Sequence, residues 1–102
     1  MTPSSGNVFA DLGFEHPEEE QTKSRLVSAI ADALAASGLN QSGAAALIGL
    51  DQPKVSRLLR GQTTGYSIER LNEILNRLDR DVEIIVRPKP EGRPARTTVL
   101  VV

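Results

Sequence analysis

Apolar residues recur every three or four positions in several stretches of the chain, which is the spacing of amphipathic helices. The first stretch begins near Pro17, carries three successive glutamates in its first turn and stops at Gly38. Proline and acidic residues favour the start of a helix, and glycine favours its end. A second helix, rich in alanine, is expected from Gln41 to about Ile48.

A tight turn at Gly49 separates this second helix from a third. Asp51 is a suitable N-cap for the third helix, and Pro53 falls in its first turn, where a missing N–H matters little. The helix is expected to run to Arg60 and to stop at Gly61. Two helices joined by so short a connection predict a helix-turn-helix.

A fourth helix is expected after Ser67, its N-cap, with apolar residues at helical spacing as far as Leu78. The chain then turns at residues 79–81. Residues 82–87, rich in valine and isoleucine, predict a short strand. A linker rich in proline, glycine and arginine leads to a second β-prone segment, residues 97–102.

The predicted fold is therefore mainly α, a bundle of four to five helices with a short C-terminal β-strand segment. Three parts are expected. Residues 1–16 form an N-terminal arm that is partly docked through the apolar segment VFADLGF, residues 17–79 form the helix-turn-helix domain, and residues 80–102 form the β segments and linker.

The third helix has an unusual outward face. At about 100° per residue, Val55 and Leu58 share the core side with Leu59, while the opposite side carries donors and positive charge. No acidic residue lies between Gln52 and Arg60. A solvated helix face normally mixes both signs, whereas this face suits the phosphate-lined major groove, in which arginine can recognise guanine and glutamine can recognise adenine.

Composition narrows the possible functions. The net charge of −1 hides an acidic first half, −5 over residues 1–51, and a basic second half, +4 over residues 52–102. There is no cysteine and only one histidine, His16, and no nucleophile, metal or phosphate-loop motif occurs. These features predict a protein that is not an enzyme and binds no cofactor or metal. With no signal peptide or apolar span, the cytoplasm is expected and membrane association is not.

The segment GLNQSGAAALIGLDQPKVSRLLRG resembles the helix-turn-helix of the phage-repressor-like XRE family, whose lambda-repressor-like fold it implies. Together with NVFADLGF, YSIERL and LDRDVEIIVRPK, it is similar to a subgroup of small HigA-type antitoxins. The similarity extends over about Asn7 to Lys89. The chain departs from the family pattern at Gly43 and in the tail after Pro90.

The resemblance implies a sequence-specific DNA-binding regulator that acts on double-stranded operator DNA, as the autorepressor of a toxin–antitoxin module with a RelE/HigB-like toxin as partner. It implies base contacts by four residues of the third helix: Gln52, Pro53, Ser56 and Arg57. Phosphate contacts are implied or inferred for six others: Asn40, Gln41, Lys54, Arg60, Gln62 and Thr63.

A homodimer is expected, because repressors of this kind act on paired half-sites. Two chains could pair their strands across a two-fold axis, which we favour, or the two β-prone segments could form a hairpin within one chain or merely cap the fourth helix of a monomer. The residues expected at the dimer interface are Leu71, Leu75, Leu78, Val82, Ile84 and Val86.

Two other functions remain open. The protein could be a repressor with no toxin, or an interaction module that sequesters a partner and has no role on DNA. The basic third-helix face argues against the latter, because protein-binding surfaces are depleted in charge at their centre. If a toxin exists, the candidate contact surfaces are VFADLGF with the first helix, and the C-terminal tail.

Overall fold

The computed structural model describes residues 17–102. Within them the chain forms four helices: α1 (Pro17–Ser37), α2 (Gln41–Ile48), α3 (Gln52–Leu59) and α4 (Ile68–Arg77). All four predicted helices are confirmed, although α3 ends at Leu59 and Arg60 is its C-cap. The expected docking of the N-terminal VFADLGF segment lies outside the described residues.

Side-chain caps start the three shorter helices. The Asn40 side chain accepts a hydrogen bond from the Gly43 N–H at 2.8 Å. Asp51 accepts from the Lys54 N–H at 2.8 Å, and Ser67 accepts from the N–H three residues later at 3.0 Å. Each cap satisfies a backbone donor that a helix start leaves unpaired, so local sequence alone fixes where these helices begin.

The core lies between α1 and α4, with α2 and α3 packed across them. Its most completely buried side chains come from all four helices. The alanines of α2 are small enough to let α3 approach closely, and the two helices pack directly against each other. The buried hydrophobic residues are Leu26, Val27, Ile30, Ala33, Leu34, Ala44, Ala45, Ile48, Val55, Leu58, Leu71, Ile74, Leu75 and Leu78.

Three of the leucines expected at a dimer interface belong to this core. Leu71, Leu75 and Leu78 are between 0 and 5% exposed. In the single chain the apolar stripe of α4 packs against α1, which covers these leucines, and their place at a dimer interface stays a prediction.

The predicted C-terminal strand does not form within the single chain. Residues 79–102 contain neither strand nor helix, and no hairpin joins residues 82–87 to residues 97–102. A strand requires a partner for its backbone groups, and neither segment has one within the single chain.

The C-terminal segment nevertheless touches the body of the protein at two points. Val82 and Val99 are half-buried and pack against the core, and the Arg25 guanidinium donates to the Val99 carbonyl at 3.3 Å. Between Val82 and Val99 the chain forms a long loop that turns at Gly92, where φ is 92°. We call residues 83–98 of this loop the C-terminal arm.

Of the four helices described here, none combines the length and the apolar content that a membrane crossing requires.

Candidate nucleic-acid interface

Gly49 makes the turn between α2 and α3. Its φ of 75° lies in the left-handed region, and its N–H donates to the Ala45 carbonyl at 2.9 Å. A Cβ at this position would lie only 2.7 Å from Nη1 of Arg77, so the α4 arginine packs directly over the turn. Glycine is therefore favoured here both by backbone conformation and by space. The close turn holds α3 across the end of α2, as a helix-turn-helix requires.

The outward face of α3 is as the sequence predicts. Val55 and Leu58 are each 1% exposed and anchor the inner side, whereas Leu59 is 36% exposed and lies at the edge of the core. The residues expected to contact bases lie on the outer side. Three of them, Gln52, Pro53 and Arg57, are exposed, and Ser56 is half-buried.

Charge on this face is positive and accessible. Lys54 lies beside the Asp51 carboxylate at 3.9 Å, but both side chains are more than half exposed. Exposed pairs of this kind are worth little in water, so Lys54 remains available to another anion. The exposed donors and cations of α3 can therefore contact a polyanion without first breaking a strong ion pair.

The start of α2 faces solvent. Gln41 is exposed at the first position of the helix, where unpaired N–H groups and the helix dipole favour an anion. Asn40 is also exposed, but its side-chain oxygen is already bound to the Gly43 N–H. Its amide N–H groups are the part that remains able to donate to a phosphate.

A groove runs between α3 and the loop that joins it to α4. Lys54 and Arg57 line it on the α3 side, and Gln62 and Thr64 line it on the loop side. Two charged lining residues were not predicted from the sequence: Arg70 from α4 and Glu20 from the first turn of α1.

Thr63 differs from its predicted role. Its side chain is 7% exposed, and its hydroxyl donates to Glu20 Oε2 at 3.0 Å. The same carboxylate has its other oxygen 3.7 Å from the nearly buried Lys23 ammonium. The expected phosphate contact by the Thr63 side chain is therefore not available in this structure, because the hydroxyl ties the α3–α4 loop to α1 instead.

The structure also links two outward residues of α3. Arg60 Nη2 donates to Ser56 Oγ at 2.8 Å, and both residues lie on the side away from the core. Sequence spacing allows this i,i+4 contact without requiring it. The links across the bundle, such as Glu20 to Thr63, have no local sequence signal at all, because their partners are 43 residues apart.

Within residues 17–102 no group of histidine, cysteine, aspartate or glutamate side chains is arranged to hold a metal ion. The outward face of α3 instead carries a row of amide, hydroxyl and guanidinium groups. Such a surface can form hydrogen bonds to base edges and ion pairs to phosphates.

Comparisons with known proteins agree with this geometry. Residues 8–87 match the family described as a helix-turn-helix domain. A solved structure of a candidate XRE-family transcriptional regulator is 46% identical to the chain and superposes with a TM-score of 0.78. The match covers 83% of this chain and 97% of that one. No match was found among curated proteins.

The matched residues contain α1 to α4 whole, and with them the turn at Gly49 and the outward face of α3. The chain therefore belongs to the XRE family of helix-turn-helix proteins and is a DNA-binding transcriptional regulator.

Proposed function

We propose that this regulator binds a palindromic operator as a homodimer, places α3 in the major groove, and represses its own promoter as the antitoxin of a RelE/HigB-like toxin. The single observation that carries the DNA-binding part is the outward face of α3, which is exposed, rich in donors and free of acids from Gln52 to Arg60. In this arrangement Gln52, Pro53, Ser56 and Arg57 face base edges.

Backbone contacts complete the proposed footprint. The start of α2 supplies Gln41 and the amide of Asn40, and the groove beside α3 supplies Lys54 and Gln62. Contacts of this kind would fix the position of α3 in the groove without distinguishing one base pair from another. At position 63, only the backbone remains to contact a phosphate.

An electrophoretic or fluorescence binding assay with operator DNA tests this proposal. Arg57→Ala is expected to lose about 5- to 150-fold in affinity for the correct base pair while losing much less for DNA altered at that pair. Gln41→Ala should weaken binding to all sequences to a similar degree. If Arg57→Ala leaves both affinity and footprint unchanged, α3 does not enter the groove as proposed.

The dimer is proposed to form through the C-terminal arm. Ile84 is 82% exposed, Ile85 66% and Val86 92%, and the backbone from 82 to 87 forms no ladder within the chain. Three adjacent apolar side chains on an unpaired extended segment favour strand pairing, and a second copy supplies an identical segment related by a two-fold axis. Half-buried Val82 would set where each strand leaves its own domain.

The tail offers a second apolar surface. Leu100, Val101 and Val102 are 81%, 58% and 111% exposed, next to the anchored Val99. This tail lies beyond the residues matched by the family, which end at residue 87. We assign the shared segment, residues 82–87, to dimerisation, and leave the tail, together with VFADLGF and α1, as candidate contacts for the toxin.

The toxin partner rests on the resemblance of the sequence to HigA-type antitoxins, and it is tested separately. Co-expression with the product of the neighbouring gene is expected to relieve growth arrest, and the two proteins should co-purify. A neighbouring gene product that is neither toxic nor retained by this protein would contradict the antitoxin role. Operator binding without such a partner would leave a stand-alone repressor, and toxin binding without operator binding would leave a sequestering module.

A further inference from the structure

Arg60 occupies the centre of the outward face of α3. With about 100° between successive residues, it lies almost directly opposite the midpoint between the buried side chains of Val55 and Leu58, beside Pro53. Its backbone is the C-cap of the helix, and its side chain is exposed. From its position at the helix end alone, Arg60 would be expected to extend towards a phosphate beyond the edge of the groove.

The hydrogen bond to Ser56 changes that expectation. Nη2 of Arg60 lies 2.8 Å from Ser56 Oγ, so the side chain is folded back by one helical turn towards the middle of α3. Helical side chains lean towards the N-terminus, which makes this direction the natural one. The guanidinium is therefore carried over the helix surface that would face the bases.

We propose that Ser56 and Arg60 act as one guanine-recognising unit, with Arg60 contacting the base and Ser56 serving as its positioning residue. The proposal deepens the proposed function and rests on α3 lying in the major groove. A guanidinium has five N–H donors, of which the Ser56 bond uses one. The remaining donors suffice for a bidentate contact with O6 and N7 of guanine.

The Ser56 hydroxyl gains a defined direction from the same bond. Because its oxygen accepts from Arg60, its own proton remains free to donate to water or to the base pair that Arg60 contacts. The bond also holds a long side chain in one arrangement before DNA arrives, which reduces the conformational entropy lost on binding.

Arg57 lies in different surroundings, since it lines the groove beside the α3–α4 loop with Gln62 and Gly65. The two arginines of α3 therefore approach DNA at separate places. It follows that Arg60 specifies a base pair distinct from the one proposed for Arg57.

The test uses the full chain and an operator selected with the wild-type protein, together with every single base-pair substitution of one half-site. Affinities are measured for Arg60→Ala, Arg60→Lys, Ser56→Ala and the double variant. Lys54→Ala serves as the reference for a phosphate contact. Each variant is expected to fold, because these side chains lie outside the core. Circular dichroism checks this for each one.

Arg60→Ala is expected to lose about 5- to 150-fold in discrimination at one G·C pair. Arg60→Lys should lose most of the same discrimination, because an ammonium keeps the charge without the planar fork. Ser56→Ala should reduce discrimination at that same pair, and the double variant should lose no more there than Arg60→Ala, as expected of two residues acting through one contact.

Two results would overturn the proposal. If Arg60→Ala weakens every operator equally, as Lys54→Ala does, and Arg60→Lys restores binding, then Arg60 contacts a phosphate. If Ser56→Ala alters discrimination at a different pair from Arg60→Ala, the two residues do not form a unit. Failure of the wild-type protein to select any DNA sequence would instead refute the proposed function on which this unit depends.

Discussion

At the scale of single residues, Gly49 and Arg77 couple the turn of the helix-turn-helix to α4. Gly49→Ala is expected to destabilise the fold by about 1–2 kcal/mol, because a side chain strains the left-handed backbone. The variant must also displace Nη1 of Arg77, which lies 2.7 Å from the position of the new Cβ. Urea unfolding measures the total loss of stability.

Gly38→Ala is the matched control for Gly49. Gly38 has a φ of 72°, close to that of Gly49, but nothing lies within 4 Å of its Cβ position. The excess cost of Gly49→Ala over Gly38→Ala should therefore report the displacement of Arg77, and it should vanish in an Arg77→Ala background. An equal cost for the two glycines in the wild-type background would mean that Arg77 moves away freely and supports nothing at the turn.

At the scale of elements, one part-buried hydrogen bond joins α1 to the loop that borders the groove beside α3. Glu20→Ala is expected to cost about 1–3 kcal/mol, since it leaves the hydroxyl of Thr63 buried without its acceptor. Faster amide exchange in residues 61–66 should accompany the loss. Urea unfolding and hydrogen exchange are the two measurements.

Glu20→Gln and Thr63→Val separate the hydrogen bond from the charge. Glutamine keeps an oxygen that can accept from Thr63, but it loses the charge that attracts Lys23. The Lys23 ammonium still has the Glu19 carboxylate as a partner at 3.8 Å. We expect Glu20→Gln to remain closer to wild type than Glu20→Ala, and Glu20→Ala to cost less when Thr63 is already valine. Full additivity of the alanine and valine substitutions would contradict the link.

The elements also differ in how far the sequence determines them. The starts of α3 and α4 were predictable because an N-cap acts within three residues of itself, as Asp51 and Ser67 do. The outer face of α3 was predictable from its periodicity. The burial of Thr63 was not, because it depends on Glu20, far away along the chain.

In the C-terminal segment, by contrast, the structure could not be predicted from the local sequence. Its valines and isoleucines favour a strand, but a strand exists only where its backbone groups have a partner. Residues 82–87 have none within residues 17–102, so they form no strand in the single chain. Apolar pattern alone likewise could not separate the core leucines of α4 from interface leucines, since both are covered by other side chains.

At the scale of the whole molecule, the exposed apolar segment of the C-terminal arm determines the expected oligomeric state. Ile84→Glu combined with Val86→Glu is expected to convert a dimer into a monomer, because two chains paired through this segment would bring four like charges together. Both side chains are more than four-fifths exposed in the single chain, so the domain itself should keep its stability. Sedimentation equilibrium at micromolar concentration measures the mass, and circular dichroism follows thermal unfolding.

The matched control for this last prediction is Leu100→Glu combined with Val102→Glu, which places the same two charges on the equally exposed tail. This variant is expected to remain a dimer and to bind the operator like wild type. The arm variant should bind an isolated half-site almost normally but lose its advantage on the full palindrome, because two linked domains bind paired half-sites more tightly than either does alone. A wild-type chain that sediments as a monomer, or an arm variant that still dimerises, would show that the two copies meet through some other surface or do not meet at all.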